Sequence, residues 1–155
     1  MPLTCETEVT IHAPPERVWA GLIDIDRMGE WMKGLVRIER LTEGPFGKGT
    51  QFRQTRKMYG REASEVFEVY EFDPPRVLGL YIDGKKGSSG CGEYRFLHTL
   101  TPTAAGTRLV LSGEFGGQKG CMAFLSKLMI GMMKKAFRKE LLALGAWVER
   151  SAPPA

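Results

Sequence analysis

The stretch that decides the fold covers residues 118–151 and reads QKGCMAFLSKLMIGMMKKAFRKELLALGAWVERS. At about 100° per residue, its apolar side chains gather on one face of a helix and its cations gather on the opposite face. A helix of this kind buries its apolar face against another element. Glu140 falls in the middle of that face, where a carboxylate needs a hydrogen bond, a cation or water. The apolar face consists of Met122, Leu125, Met129, Met132, Met133, Ala136, Ala143, Leu144 and Trp147.

The chain has 155 residues, which predicts one domain over residues 1–155 with a single core. Its net charge of +4 is spread along the chain without a dense basic block, so we expect no nucleic-acid partner. No run approaches the roughly 18 apolar residues of a membrane span. The first residues lack the pattern of a signal peptide, which favours the cytoplasm. We expect a monomer or a homodimer.

Sequence motifs for metal, nucleophile or phosphate chemistry are missing. Cys5, Cys91 and Cys121 lack the spacing of a zinc site or a CxxC motif and are expected to be reduced. There is no GxSxG or HExxH, and residues 47–50, GKGT, lack the spacing of a phosphate-binding loop. We therefore expect neither a metal nor a cofactor.

The remaining segments read as one strand, two short helices and six further strands. Residues 3–11 alternate between apolar and polar side chains, as in a half-buried strand. Pro15 suits the first turn of a helix, and a second short helix is expected over 26–31 with an aspartate at its start. From residue 35 onward, extended segments are separated by turns rich in Gly and Pro. The predicted strands are 35–41, 49–58, 62–72, 77–82, 91–101 and 107–115.

This order of elements, together with several local matches, resembles the helix-grip superfamily, which includes START domains, the major birch pollen allergen and polyketide cyclases. The matching segments are 11–19, Glu30-Trp31, 47–50, 70–78, 106–109 and 141–149. The resemblance implies an α+β fold, in which a curved seven-stranded antiparallel sheet wraps around the long C-terminal helix, with a cavity between them for a small hydrophobic molecule. It also implies that Trp31 ends the second short helix near the mouth of the cavity.

Alternation along the strands predicts which side chains line that cavity. The face that carries Phe52 also carries Gln54 and Arg56, which would bring a cation toward Glu140. Two alternatives stay open: Arg56 reaches water, or Glu140 finds its partner at the rim. His98 is the best candidate for acid-base chemistry, although a structural role is the commoner one for a histidine on a strand. The expected ligand-binding residues are Trp31, Phe52, Arg56, Met58, Tyr70, Phe72, Tyr94, Phe96, His98, Met129, Met133 and Glu140.

Three functions remain open. The first is binding or transport of a small hydrophobic ligand. Its alternative is that the apolar side chains simply fill a core and that no ligand binds. The second is a cofactor-independent cyclase or dehydratase, whose catalytic candidates are His98, Arg56 and Glu140 with a tyrosine. The third is an interaction module, similar to superfamily members that activate a chaperone or assist assembly. It would use the basic helix face, which consists of Lys134, Lys135, Arg138 and Lys139.

Overall fold

The computed structural model describes residues 3–58, 60–116 and 127–151, without the side chains of residues 58 and 127–129. The expected start of the long helix at residue 118 lies outside this part of the chain, as do Met122 and Leu125. The predicted lining side chains of Met58 and Met129 also lie outside it.

Seven strands form one antiparallel sheet in the order β1-β7-β6-β5-β4-β3-β2. The number and order of strands along the chain agree with the sequence prediction. The predicted alternation of buried and exposed side chains in β1 is confirmed, because Cys5, Val9 and Ile11 are buried while Glu6 and Glu8 are exposed. The strands are β1 (Leu3–Ile11), β2 (Leu35–Arg40), β3 (Gln51–Met58), β4 (Arg61–Asp73), β5 (Val77–Asp83), β6 (Glu93–Thr103) and β7 (Gly106–Gly116).

Two short helices connect β1 to β2. The first, α1, covers Pro15–Ile23 and has proline in its first turn, as predicted. The second is a 3₁₀-helix over Ile25–Glu30, and its flanking Asp24 makes no side-chain capping bond. After it, Gly34 adopts a φ of +83°, and a Cβ there would lie 3.2 Å from the Lys57 carbonyl oxygen. A glycine is therefore needed where the chain turns into β2.

The long helix α2 covers Lys127–Arg150 and packs most closely through its C-terminal half. A Cβ added at Gly145 would lie 3.0 Å from Ile11 on β1, and one added at Gly21 on α1 would lie 3.0 Å from the ring of Trp147. Arg17 on α1 donates hydrogen bonds of 2.6 Å to the carbonyl oxygens of Val148 and Ser151, which have no partner within the helix. These contacts hold the end of α2, while the preceding turns face the sheet across a cavity.

The structure corrects the sequence expectations for one face of α2 and for the cysteines. Met132 and Ala136 were placed on the apolar face of α2, but both are exposed, Met132 to 56%. All three cysteines were expected to be reduced. Cys5 is a free buried thiol, as expected, whereas Cys91 is disulfide-bonded, and Cys121 lies outside the described residues. Within the described ranges, no helix is long and apolar enough to cross a membrane.

Candidate ligand cavity

A cavity of about 570 Å³ lies between the inner face of the sheet and α2. Its wall is mainly apolar, with a small number of polar and charged groups, which is the usual composition of a small-molecule site. One side of it is lined by Met28 on the 3₁₀-helix and by Trp31 and Met32, which follow that helix. The other lining residues are Leu22, Phe52, Gln54, Arg56, Ala63, Glu65, Phe67, Leu80, Ile82, Ser88, Ser89, Tyr94, Phe96, His98, Leu111, Phe115, Met133, Phe137, Glu140 and Leu141.

Most predicted ligand-binding residues that the structure describes line this cavity. Those that do are Trp31, Phe52, Arg56, Tyr94, Phe96, His98, Met133 and Glu140. The hydroxyl group of Tyr94 donates to the carbonyl oxygen of Cys91.

The prediction that Tyr70 faces the cavity together with Phe72 is wrong. The register between β4 and β5 shifts between Val69 and Glu71, which indicates a bulge that turns Tyr70 to the outer face. There its ring covers Gly79.

Phe72 points inward but does not line the cavity. Its ring packs against the rings of Trp19 and Phe46, at centroid distances of 5.4 and 6.0 Å. It therefore belongs to the closed part of the core beside α1, and the expectation that Phe72 lines the cavity is wrong.

Arg56 and Glu140 form an ion pair in which the guanidinium group donates to the carboxylate. Arg56 lies on β3 and Glu140 on α2, so the pair bridges the sheet and the helix across the cavity. Their side chains keep 33% and 22% of their exposure, respectively. The pair is therefore only partly withdrawn from water, at the border of the cavity, and each charge already has a partner.

His98 is buried on β6, and its Nδ1 lies 3.4 Å from the carbonyl oxygen of Leu78. Because a carbonyl oxygen can only accept, this contact favours the neutral tautomer with the proton on Nδ1, which leaves Nε2 as an acceptor. Burial lowers the pKa of His98 to about 4, and the bond to Leu78 opposes this only in part. The imidazole is therefore uncharged at neutral pH.

Sequence reasoning missed a second carboxylate in the wall, Glu65 on β4. Its Oε1 accepts hydrogen bonds from the backbone N–H, at 2.9 Å, and the hydroxyl group of Ser89. Ser88 adds a backbone bond of 2.7 Å to the carbonyl oxygen of Ser64, so the β5–β6 loop is attached to β4. The alternation of Ala63, Glu65 and Phe67 could have placed Glu65 inside, but a glutamate on a strand is usually solvated.

Two buried side-chain atoms in the described part of the chain lack a hydrogen-bond partner, and both belong to residues that line the cavity, although each atom exposes less than 1 Å² of surface. They are Nε1 of Trp31 and Oε2 of Glu65. Gln54 lies opposite Glu65 in the register of β3 and β4, but its amide nitrogen donates to the sulfur atom of Met32, at 2.6 Å, and not to Glu65. Buried polar atoms without a partner are uncommon and call for a physical explanation.

Comparison with solved structures assigns the fold. The chain superposes on Ara h 8.0201 with a TM-score of 0.78, 18% identity and coverage of 97% of this chain and 100% of that one. The superposition on the Zhui aromatase/cyclase from Streptomyces sp. R1128 has a TM-score of 0.74 and 22% identity, and it covers 97% of this chain and 95% of that one. For TTHA0849 from Thermus thermophilus the TM-score is 0.77 with 21% identity, and the superposition covers 97% of this chain and 100% of that one. The fold is the helix-grip fold, as the sequence resemblance implied.

Residues 2–149 match the model of a family described as polyketide cyclase / dehydrase and lipid transport, and the chain belongs to this family. An uncharacterised protein of Mycobacterium tuberculosis strain H37Rv is 25% identical over 115 residues, which cover 73% of this chain and 76% of the relative.

Proposed function

We propose that the protein binds a small hydrophobic molecule in the cavity between the sheet and α2. The observation that carries this proposal is the cavity itself, with a volume of about 570 Å³ and a mainly apolar wall. Met133 and Phe137 on α2 face Phe52 and Leu80 on the sheet across it, so a guest would bury apolar surface on both sides. Family membership supports the same role, because lipid transport is part of the family description.

Titration with the neutral dye Nile red tests this proposal. We expect saturable binding of one dye per chain, with increased and blue-shifted fluorescence. Ala63→Phe should abolish binding, because the ring would occupy space beside β4 in the cavity. Ala104→Phe, in the exposed turn between β6 and β7, is the matched control and should bind normally. Absence of saturable binding to the folded wild type, or equal binding by both variants, contradicts the proposal.

A second candidate function is that of a cofactor-independent cyclase or dehydratase. It is favoured by the presence of Arg56, Glu140 and the acceptor nitrogen of His98 in one cavity wall. In such a reaction His98 Nε2 would remove a proton from the carbon beside a ketone, and Arg56 would donate a hydrogen bond to the oxygen that gains negative charge. Binding remains the first proposal, because a histidine whose pKa is about 4 is a weak base at neutral pH.

The two functions separate in a proton-exchange experiment. Incubation of 2-acetylnaphthalene with the protein in D₂O allows exchange of the methyl protons next to the carbonyl group to be followed by NMR. A catalytic site predicts faster exchange than in buffer and loss of this enhancement in His98→Gln. A binding protein predicts no enhancement by either form.

A further inference from the structure

Strand β2 forms an edge of the sheet and carries backbone groups that no described strand uses. It stands at the end of the strand order and, within the described ranges, pairs with β3 alone. The N–H group of Leu41 donates to the carbonyl oxygen of Gln51 at the start of β3, at 2.8 Å. Because backbone groups alternate in direction along an antiparallel strand, those of Ile38 and Arg40 point away from β3. A further strand can therefore pair with β2 at these two residues.

The outer face of β2 carries one cation and one anion, two residues apart. Arg37 and Glu39 lie opposite Thr55 and Arg53 of β3, which alternate with the cavity-lining residues of that strand. Their side chains keep 56% and 46% of their exposure, and Arg37 Nε lies 3.1 Å from Glu39 Oε1. Both charges therefore remain within reach of a strand that is added beside β2.

The order of the residues in this segment is complementary to itself. Residues 35–41 read LVRIERL. In an antiparallel pair of two copies centred on Ile38, Arg37 of each copy lies opposite Glu39 of the other copy, on the same face of the sheet. Ile38 then takes a hydrogen-bonded position, which suits its outward backbone groups. A pair centred on Glu39 would instead place two glutamates opposite each other, which is destabilising. The charges therefore select the pairing that is centred on Ile38.

The two ends of β2 expose apolar surface. Four large apolar side chains are exposed in the described part of the chain, and two of them, Val36 and Leu41, flank this segment with 46% and 44% exposure. In the pairing centred on Ile38, Val36 of one copy comes next to Leu41 of the other copy at each end. Association would therefore remove apolar surface from water in addition to forming backbone hydrogen bonds.

The opposite edge of the sheet lacks this complementarity. Strand β1 stands at the other end of the strand order, and its charged side chains are Glu6 and Glu8, without a cation in the strand. Two copies of β1 that paired about Thr7 would bring these glutamates opposite each other, and like charges in that position are destabilising. Of the two edges, β2 is therefore the one that fits a second copy of the chain.

We propose that two copies of this chain associate through β2, in a two-fold symmetric antiparallel pairing centred on Ile38 that continues the sheet from one copy into the other. A two-fold contact uses the same surface on both copies, so association stops at the dimer. Pairing through one short strand buries less surface than a standard interface, so the dimer is weak and reversible. This inference is independent of what the cavity binds.

Sedimentation velocity from about 5 to 500 µM, at pH 7 and at about 50 mM NaCl where screening is limited, tests this interface. The mass of the wild type should rise from one chain toward two. Arg37→Glu and Glu39→Arg should each weaken association by about fivefold or more, because the symmetry replaces two attractive pairs by two repulsive ones. Arg95→Glu, an exposed position on β6 with the same change of charge as Arg37→Glu, is the matched control and should associate like the wild type.

Mixing the two charge-reversal variants gives the sharpest result. Each variant alone should stay monomeric, but an equimolar mixture of Arg37→Glu and Glu39→Arg should form a dimer. Two negative charges in one copy then lie opposite two positive charges in the other copy. The double variant with both changes should also dimerise, because it restores opposite charges across the two-fold axis.

Amide hydrogen exchange of the wild type tests the backbone pairing without any variant. Exchange of the Ile38 and Arg40 N–H groups should slow as the protein concentration rises, because these groups gain acceptors in the dimer. The N–H group of Glu39 points toward β3 and serves as the internal control, with exchange that does not depend on concentration.

Several results would overturn the proposal. They are a wild type that stays monomeric over the whole range, charge reversals that leave association unchanged, and a mixture of the two variants that remains monomeric. Masses beyond two chains would show an open-ended contact instead of a two-fold one. If a variant fails to fold, as judged by circular dichroism, the exchange rates of Ile38 and Arg40 in the wild type decide, and rates that are independent of concentration refute the interface.

Discussion

The ion pair between Arg56 and Glu140 allows the sharpest test of how α2 is held over the sheet. We consider Glu140→Gln, which keeps the shape of the side chain and removes its charge. Removal of one partner from a fully buried pair costs about 3 to 5 kcal/mol, whereas an exposed pair contributes about 0 to 1 kcal/mol. With 33% and 22% of their exposure retained, Arg56 and Glu140 lie between these limits. We therefore expect Glu140→Gln to lower the free energy of unfolding by about 1 to 2 kcal/mol.

Urea unfolding at pH 7 measures this value, and a double-mutant cycle with Arg56→Gln isolates the interaction between the two side chains. The loss should be smaller in 1 M NaCl, because partly exposed charges are screened by salt. Glu8→Gln is a matched control, because Glu8 pairs with Arg108 on the neighbouring strand and both side chains are more than half exposed. This variant should lower the free energy of unfolding less than Glu140→Gln does. An unchanged free energy of unfolding together with zero coupling would refute the pairing. A loss above about 3 kcal/mol would refute its position at the border of the cavity.

Three further results are expected. The folded-state pKa of His98, about 4, lies below its value of about 6.5 in the unfolded chain, so between these two pH values the unfolded chain binds a proton that the folded chain does not. The contribution of His98 to the free energy of unfolding is therefore complete above pH 6.5 and is lost as the pH falls toward 4. The stability difference between the wild type and His98→Gln should therefore change by about 3 kcal/mol over this window in urea unfolding, and a constant difference would contradict the buried neutral imidazole. Arg17→Ala should lower the free energy of unfolding by about 1 to 2 kcal/mol, because the carbonyl oxygens of Val148 and Ser151 lose their donor; unchanged unfolding would show that other groups satisfy them. Hydrogen exchange with and without 2-acetylnaphthalene should show protection of residues 29–35, and protection confined to other segments would place the entrance elsewhere.

Local patterns predicted the elements of the fold well. The period of about 3.6 residues identified a long amphipathic C-terminal helix, and alternation with Gly- and Pro-rich turns identified seven strands. These signals are local, because each depends on residues within one element or one turn. The same alternation placed Phe52, Gln54 and Arg56 on one face of β3, and β3 has a regular register with β4 along its whole length.

Long-range geometry decided the composition of the cavity wall. The bulge in β4 turns Tyr70 outward, and the ring of Phe72 packs against Trp19 and not against the cavity. No pattern within β4 indicates either of these two arrangements. Alternation along β4 could have placed Glu65 on the inner face, but only the folded chain shows that Ser89 of the β5–β6 loop, 24 residues away, donates to its carboxylate.

The sequence alone thus determined which segments are helical or extended and which side of each is apolar, because these properties depend on the periodicity of neighbouring residues. Only the tertiary structure decided that Arg56 meets Glu140, 84 residues further along the chain, and that the N–H group of Trp31 faces no partner. Hydrogen bonds and ion pairs depend on the positions of atoms to within a few tenths of an ångström. Such positions follow from how the helix and the sheet pack against each other, and periodicity carries no information about that packing.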